Sequence, residues 1–365
     1  MFVRSVGNFL GKVLLVINVL VALLMVLCAF SSYISPYTFP VLSCAGLAFP
    51  IFLLLNFLFF AFWLFFNRRY ALLPLVVMFV CIGQIRAFLP VNISMKQVPD
   101  DAIKILSYNV MFYDSHQPHT EESPNEIVRY IQNSNADIVC LQEASFNNSN
   151  SKKFLSEKVF RKALSTYPYF SFHKEKGSGW VCLSRFPILS TRSIPYESVG
   201  NGTVAYELKV GNDTLLLVNN HLESNKLSID DRTAYRDMII DPKEDKVKTT
   251  SKLLIGKVAD AVSIRASQAD SVAKFIQDSK HKYVVVCGDF NDSSLSYAHR
   301  VIGKGLNDAF IDTGNGLGVS YNRYGFYFRI DHIMASENLD LFNCTVDNSI
   351  KTSDHYPIWC YIKKK

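Results

Sequence analysis

The first 95 of the 365 residues contain no aspartate and no glutamate, and their only charges are Arg4, Lys12, Arg68, Arg69 and Arg86. An ordinary soluble domain, about a quarter of it charged, is excluded for that stretch. The chain also has no Cys-x-x-Cys pair. Its five cysteines beyond residue 95 (Cys140, Cys182, Cys287, Cys344 and Cys360) are odd in number and lie mostly in apolar runs. That excludes a disulfide or zinc framework and reads as small core residues. No repeat of 20–50 residues and no low-complexity tract is present, which excludes solenoids and long linkers. Beyond residue 95 there is no charge excess either, with 33 basic residues against 32 acidic. The overall +6 is mostly carried by the first 95 residues. A near-neutral domain has no global field for gripping nucleic acid, whose binding rests on phosphate neutralisation.

What fills residues 1–95 is apolar. Three runs, Val13–Phe30, Val41–Phe66 and Tyr70–Phe88, approach or exceed the ~18–20 residues that cross a bilayer as a helix. A cleaved leader would explain only the first. Pro40, Pro50 and Pro74 are tolerable in membrane helices. The expectation is a three-helix anchor (about 13–30, 41–66 and 70–88) in residues 1–95, followed by a catalytic domain in 96–365. Arg4 and Lys12 precede the first run, Arg68 and Arg69 separate the second from the third, and "SSYISPYT" between the first two is uncharged. By the positive-inside rule the N-terminus is cytoplasmic and the C-terminal domain extracytoplasmic, with Arg86 a contrary vote. A bacterial inner membrane suits so compact an anchor.

After a polar linker, strand-like runs end in polar groups. "IKILSYNV" (103–110) ends at Asn109, "DIVCLQEAS" (137–145) at Glu143, and "TLLLVNNHLES" (214–224) at His221. "VVVCGDFND" (284–292) ends at Asp289 and Asn291, which share a face, with Gly288 read as the turning point and Asp292–Ser293 as the turn. "FYFRIDHIMAS" (326–336) carries Asp331, and "TSDHYPIWCYI" (352–362) carries Asp354 and His355. Helical stretches cover 123–135, with Ser123 as cap, and 264–279. Strands with few intervening helices predict a layered α/β domain of mixed or antiparallel sheets. The charged interval 224–262 admits two readings, a cover over the site or a solvated insertion.

Any one of these polar groups is unremarkable alone. Together, three carboxylates (Glu143, Asp289, Asp354), two amides (Asn109, Asn291) and two histidines recur at strand ends, where sites are built. An oxygen-rich set of this kind suits a hard cation, Mg²⁺ or Mn²⁺, better than zinc. Such sites with nearby histidine support attack on phosphate.

The ordered motifs "SYNV", "LQEAS", "NNHLES", "GDFND", "RIDHI" and "SDHYPI" resemble the endonuclease/exonuclease/phosphatase superfamily over residues 103–362. That superfamily includes DNase I, abasic-site endonucleases, inositol-polyphosphate 5-phosphatases and neutral sphingomyelinases. The resemblance implies a four-layer α/β sandwich, two mostly antiparallel sheets face to face with helices outside, and a site at one edge. It implies Glu143 as principal metal ligand, with Asn109 beside it and Asp354 completing the metal or water shell. Asp289 and Asn291 would position water and a phosphate oxygen. His355 would be general base or phosphate holder with Asp331 fixing its tautomer, and His221 would stabilise the pentavalent transition state.

Arg185 in "VCLSRFPI" is a weaker substrate-contact candidate, weighed against a structural ion pair. "GSGW" (177–180) reads as a turn and the tyrosine-rich 320–328 as strand surface. "RIDHI" lacks the Cys-Asp-Arg form of the inositol 5-phosphatases, and Met111 stands where abasic-site endonucleases carry an acid. The preferred expectation is therefore a metal-dependent phosphodiesterase acting on a phospholipid or sphingolipid headgroup at the bilayer. The alternatives are an extracytoplasmic nuclease on DNA or RNA and a non-catalytic membrane scaffold; no obligate protein partner is evident.

Overall fold

Fourteen strands form among the described residues of the computed structural model, which are 2–93, 97–147, 154–175, 177–323 and 325–365. Side chains of 2–8, 115 and 116 are outside that description, so the 95/96 boundary, the Arg4 side chain and Tyr324 lie beyond it. In chain order the strands are β1 (Ile103–Asn109), β2 (Ile138–Gln142), β3 (Tyr169–Glu175), β4 (Ser178–Ser184) and β5 (Ile188–Ser193). Next come β6 (Gly202–Val210), β7 (Asp213–His221), β8 (Tyr283–Asp289), β9 (Leu306–Asp308) and β10 (Tyr321–Arg323). The last are β11 (Phe326–Phe328), β12 (Asp331–Ser336), β13 (Leu339–Val346) and β14 (Ile358–Lys364).

Two six-stranded sheets result, ordered β13-β14-β1-β2-β4-β3 and β5-β6-β7-β8-β12-β9, with β10–β11 as a separate hairpin. Each sheet has one parallel pair, β1–β2 in the first and β7–β8 in the second, so both are mixed. Period-two alternation explains the layering. Ile105, Cys140 and Cys182 of one sheet meet Val285, Cys287 and Ile333 of the other in the central core. Their neighbours Leu106, Val139 and Val181 point outward onto helices Glu126–Asn133 and Glu157–Ala163. Val284, Val286 and Val218 do the same against helices Glu244–Ser279 and Tyr297–Ile302. The five cysteines of this region are free and buried.

Among the described residues, two helices are long and apolar enough to cross a bilayer, within Phe9–Ala29 and Pro40–Phe66. The expectation of a third is corrected, because the run 70–88 folds as two short helices, Leu72–Val80 and Ile82–Phe88, broken at Cys81. Gly83, Gln84 and Arg86 dilute its apolarity, and Arg86 is drawn to Asp312 across 3.1 Å. The turn between the two long helices docks on the α/β region through Arg300 Nε donating to Ser32 O (2.9 Å), Ser263 Oγ donating to Pro36 O (3.2 Å) and Tyr37 Oη donating to Asp270 (2.6 Å). Leu295 joins Met25, Phe49 and Cys81 in a small shared core.

Other expectations are refined. Helix Glu126–Asn133 is capped by Asn125, whose side chain accepts from the N–H groups of Ile127 and Val128, and not by Ser123. The helix expected over 264–279 begins at Glu244, and a further helix covers Ile229–Ile240 with a Ser228–Asp231 capping box. Of the "GSGW" glycines only Gly177 (φ +90°) turns the chain; Gly179 lies within β4. The run 326–336 divides between β11 and β12.

Gly288 is not a turn. It sits inside β8 at φ +125°, opposite Asn220, and a Cβ there would lie 2.1 Å from Asn220 O. Gly288→Ala is therefore expected to destabilise the protein by about 2 kcal/mol or more, through steric overlap and a backbone conformation closed to L residues. Thermal unfolding of the full-length protein checks this, and an unchanged melting temperature would contradict it.

Candidate active site

Strand register gathers the polar chain ends at one edge. β7 and β8 run parallel with His221 opposite Asp289, and antiparallel β12 starts with Asp331 opposite Asp289. In the other sheet Asn109 pairs in register with Gln142, one residue before Glu143. The segment entering β14 returns His355 to the same edge, fixed by Ser353 Oγ donating to Asn109 O (2.7 Å) and accepting from His355 N (3.2 Å).

Asp289 is the hub. Its Oδ2 accepts from Asn109 Nδ2 at 3.1 Å and Asn291 Nδ2 at 3.3 Å, while Oδ1 accepts from Asn291 N at 2.8 Å. His355 Nε2 and His221 Nε2 face the same Oδ2 at 3.6 and 3.8 Å. His355 Nδ1 lies 2.8 Å from Asp331 Oδ2, which fixes the ring and turns Nε2 toward Asp289. Asn109 Nδ2 also donates to Glu143 Oε1 at 3.1 Å, and that oxygen lies 3.5 Å from His221 Nε2. Asn109 Oδ1 accepts from Met111 N, so its amide orders the carboxylates from behind. Glu143 (φ +53°) and Asn291 (φ +51°) both occupy the left-handed region, a strain that surrounding bonds must hold and that aims both side chains inward.

Burial tunes these groups. It pushes the Asp289 carboxyl up to about 6, against the pull of His355, and raises Glu143 against its bond from Asn109. Burial lowers His221. It opposes charge on His355 too, but Asp331 and Asp289 override it and hold the imidazole well above its ordinary value. The two histidines are thus pushed in opposite directions, His355 toward its charged form by the two carboxylates and His221 toward its neutral form by burial.

Glu143, His221, Asp289, Asn291, Asp354 and His355 line one cavity of about 370 Å³, while Asn109 and Asp331 are buried beneath it. Of the two readings of 224–262, the covering one describes the structure, since Leu227, Arg232 and Val258 line that cavity. Arg185 leaves the candidate set: it sits beyond the other end of β4, paired with Asp137 at 2.8 Å as a structural ion pair. Asp292 is more than a turn residue, for its carboxylate accepts from buried Arg265 Nε at 3.1 Å. Arg265 Nη1 also donates to Glu223 O (2.8 Å) and Asn225 Oδ1 (2.9 Å), tying the chain after His221 to the chain after Asp289. Sequence reasoning missed Arg265, yet Arg265, Gln268, Ala269 and Val272 form one buried helical stripe, so a cation on an apolar face was the available signal.

The residues fit a divalent metal. Glu143, Asp289 and Asp354 bring carboxylates to one cavity, and the partners described at the half-buried Glu143 carboxylate are an amide and a histidine, with no lysine or arginine. Carboxylate oxygens gathered in this way favour a hard cation. A second His/Asp group, His299, Asp308 and His332, is a buried core cluster in which Asp308 caps helix Ala309–Thr313 and bonds His299 at 2.8 Å.

Asp331→Asn should lower the His355 imidazole pKa, because the neutral amide removes the largest charge that raises it. Titration of histidine Cε1 resonances in the full-length protein measures this; an unmoved His355 would contradict the pairing.

The model of the "Endonuclease/Exonuclease/phosphatase family" matches residues 106–355, and that of a domain of unknown function matches residues 11–88. No curated protein matches in sequence. Among solved structures, the human Nocturnin catalytic domain with bound sulfate is similar at TM-score 0.49 and 14% identity, over 74% of this chain and 97% of that one. An endonuclease/exonuclease/phosphatase family protein from Bacteroides thetaiotaomicron gives 0.48 and 16%, over 73% and 98%. D. rerio TDP2 complexed with single-strand DNA product gives 0.48 and 16%, over 73% and 100%. With the matching model covering well over half its length, the chain belongs to the endonuclease/exonuclease/phosphatase family.

Proposed function

We propose that this chain is a membrane-anchored, divalent-metal-dependent phosphodiesterase whose substrate is a phospholipid or sphingolipid headgroup. The observation that carries the hydrolase reading is the convergence on Asp289 of His221, His355, Asn109 and Asn291, beside Glu143, at the distances given above. Glu143 and Asp354 would hold Mg²⁺ or Mn²⁺, with Asn109 orienting Glu143; when bound, the ion supplies positive charge against a phosphoryl oxygen.

The chain's own groups account for the rest. Asp289 Oδ2 accepts the proton of the attacking water, and Asn291 keeps that carboxylate in place. His355, charged and oriented by Asp331, presents Nε2–H to a non-bridging oxygen, and His221 Nε2, 3.8 Å from Asp289 Oδ2, does the same as charge develops. Water thus adds across one P–O bond: the new bond forms as the bond to the leaving oxygen breaks, that oxygen takes a proton from solvent, and Asp289 returns its own to solvent.

Location supports the lipid preference. The turn 31–48 and residues 86–92 dock on the α/β region, as in Asn92 Nδ2 donating to Gly314 O at 2.5 Å. Helix Phe49–Phe66 leads from that docked turn to Arg68–Arg69, and residues 70–88 return from there to the α/β region as the two short helices Leu72–Val80 and Ile82–Phe88. On the reading that those arginines are cytoplasmic and that this returning stretch recrosses the bilayer, the catalytic region is extracytoplasmic. A nuclease reading gains little from the cavity's three cations, because Arg265 is paired with Asp292, Lys226 with Glu223 at 2.5 Å, and Arg232 lies over the Tyr321 ring at 5.8 Å.

Purified full-length protein with Mg²⁺ is expected to release headgroup from mixed phospholipid and sphingolipid vesicles, and His355→Ala or chelator to reduce the rate by about 10²-fold or more. Plasmid cleavage with intact lipids would overturn the substrate assignment. For orientation, intact cells should hydrolyse an added impermeant phosphodiester; activity appearing only on lysis would reverse the topology.

A further inference from the structure

The cavity over the catalytic carboxylates is not polar throughout. Leu227 and Val258 of the 224–262 segment, Phe326 and Phe328 of β11, and Ile330 form apolar parts of its wall. One further apolar wall residue, Leu47, comes from outside the α/β region altogether. It lies in the Cys44–Ala48 turn between the two long apolar helices and is 38% exposed. That turn is seated firmly: a Cβ on Gly46 would stand 3.0 Å from Leu295 O, and the neighbouring segment holds Arg300, Ser263 and Asp270 through the bonds described above. Tyr235 of the covering segment stacks on Phe326 with ring centroids 4.4 Å apart, which holds the cover over the same wall.

A pocket with convergent polar groups at one side and apolar side chains at the other selects a ligand divided the same way. A bare phosphoester would leave Leu47, Val258 and Phe328 facing water. We infer that this wall accepts the apolar chain of a bilayer phosphodiester lipid, and that Leu47 is a specificity-determining residue by which the membrane segment sets the preference for a tailed substrate. This rests on the hydrolase reading above and goes past it to the part of the substrate remote from phosphorus. The source is the bilayer itself, since Leu47 is contiguous in sequence with the apolar helices and with exposed Val41 (53%) and Leu42 (43%).

The test compares methyl 4-nitrophenyl phosphate with octyl 4-nitrophenyl phosphate, two phosphodiesters differing only in the alkyl chain, using full-length protein reconstituted in nanodiscs with Mg²⁺. The readout is the octyl/methyl ratio of kcat/KM. Wild type is expected to favour the octyl ester by about tenfold or more, as burial of several methylenes allows. The ratio should fall part-way in Leu47→Ala, collapse toward one in Leu47→Asp and Val258→Asp, and be retained in Leu47→Met. Equal rates on both esters in wild type, or a ratio unmoved by Leu47→Ala, would overturn the inference while leaving the hydrolase standing. Hydrolysis of neither ester by wild type would instead count against the hydrolase reading and take this inference with it.

Discussion

A carboxylate at the seam between two sheets governs this structure. Asp289 is 1% exposed, and a charge so placed survives only where donors and cationic groups surround it. Those partners come from five separate segments: Asn109, His221, Asn291, His355 and, through His355, Asp331. No single element could supply them, so the register of both sheets is constrained at once. Gly288 lets β8 close on β7 and bring His221 beside Asp289. Below the site, Gln142 Nε2 donates to Asn219 Oδ1 at 2.6 Å and Asn219 Nδ2 to Leu141 O at 3.1 Å, locking the sheets together through the core.

The same constraint reaches outward. Arg265, 1% exposed, couples the chain after His221 to the chain after Asp289, so the long helix that carries it is part of the site's scaffold. That helix also contacts the turn between the apolar helices through Ser263 and Asp270. Apolar helices, cover and site edge are thus joined by a short chain of hydrogen bonds, buried at Arg265 and more exposed at Ser263 and Asp270.

Much of this was legible in sequence. Runs ending at Asn109, Glu143, His221 and Asp289 are strands β1, β2, β7 and β8, because alternation with a polar terminus is a local signal. A layered α/β domain with mixed or antiparallel sheets followed from strands that outnumber their connecting helices, and the two-sheet sandwich from the family resemblance. What was not legible depends on tertiary context. Gly288 is indistinguishable in sequence from a turn glycine, since only the approach of Asn220 gives it its role. Arg185 stood in a family strand but at the wrong end of it. The third apolar run had membrane-like composition yet breaks at Cys81, where Arg86 is recruited by Asp312. The helices of 224–262 escaped because their face is defined by the cavity they cover.

The most direct test is Asp289→Asn, which keeps the side chain's shape and removes its charge and basicity. The measurement is Mg²⁺-dependent hydrolysis of bis(4-nitrophenyl) phosphate by full-length wild type and variant, with thermal unfolding of each. The account predicts a rate loss of about 10³-fold in a protein that stays folded at the assay temperature but melts lower, since the amide would face the donors Asn109 Nδ2 and Asn291 Nδ2 and leave His355 without its charge partner. A variant within tenfold of wild type would contradict the assignment of Asp289 as the group on which the site depends.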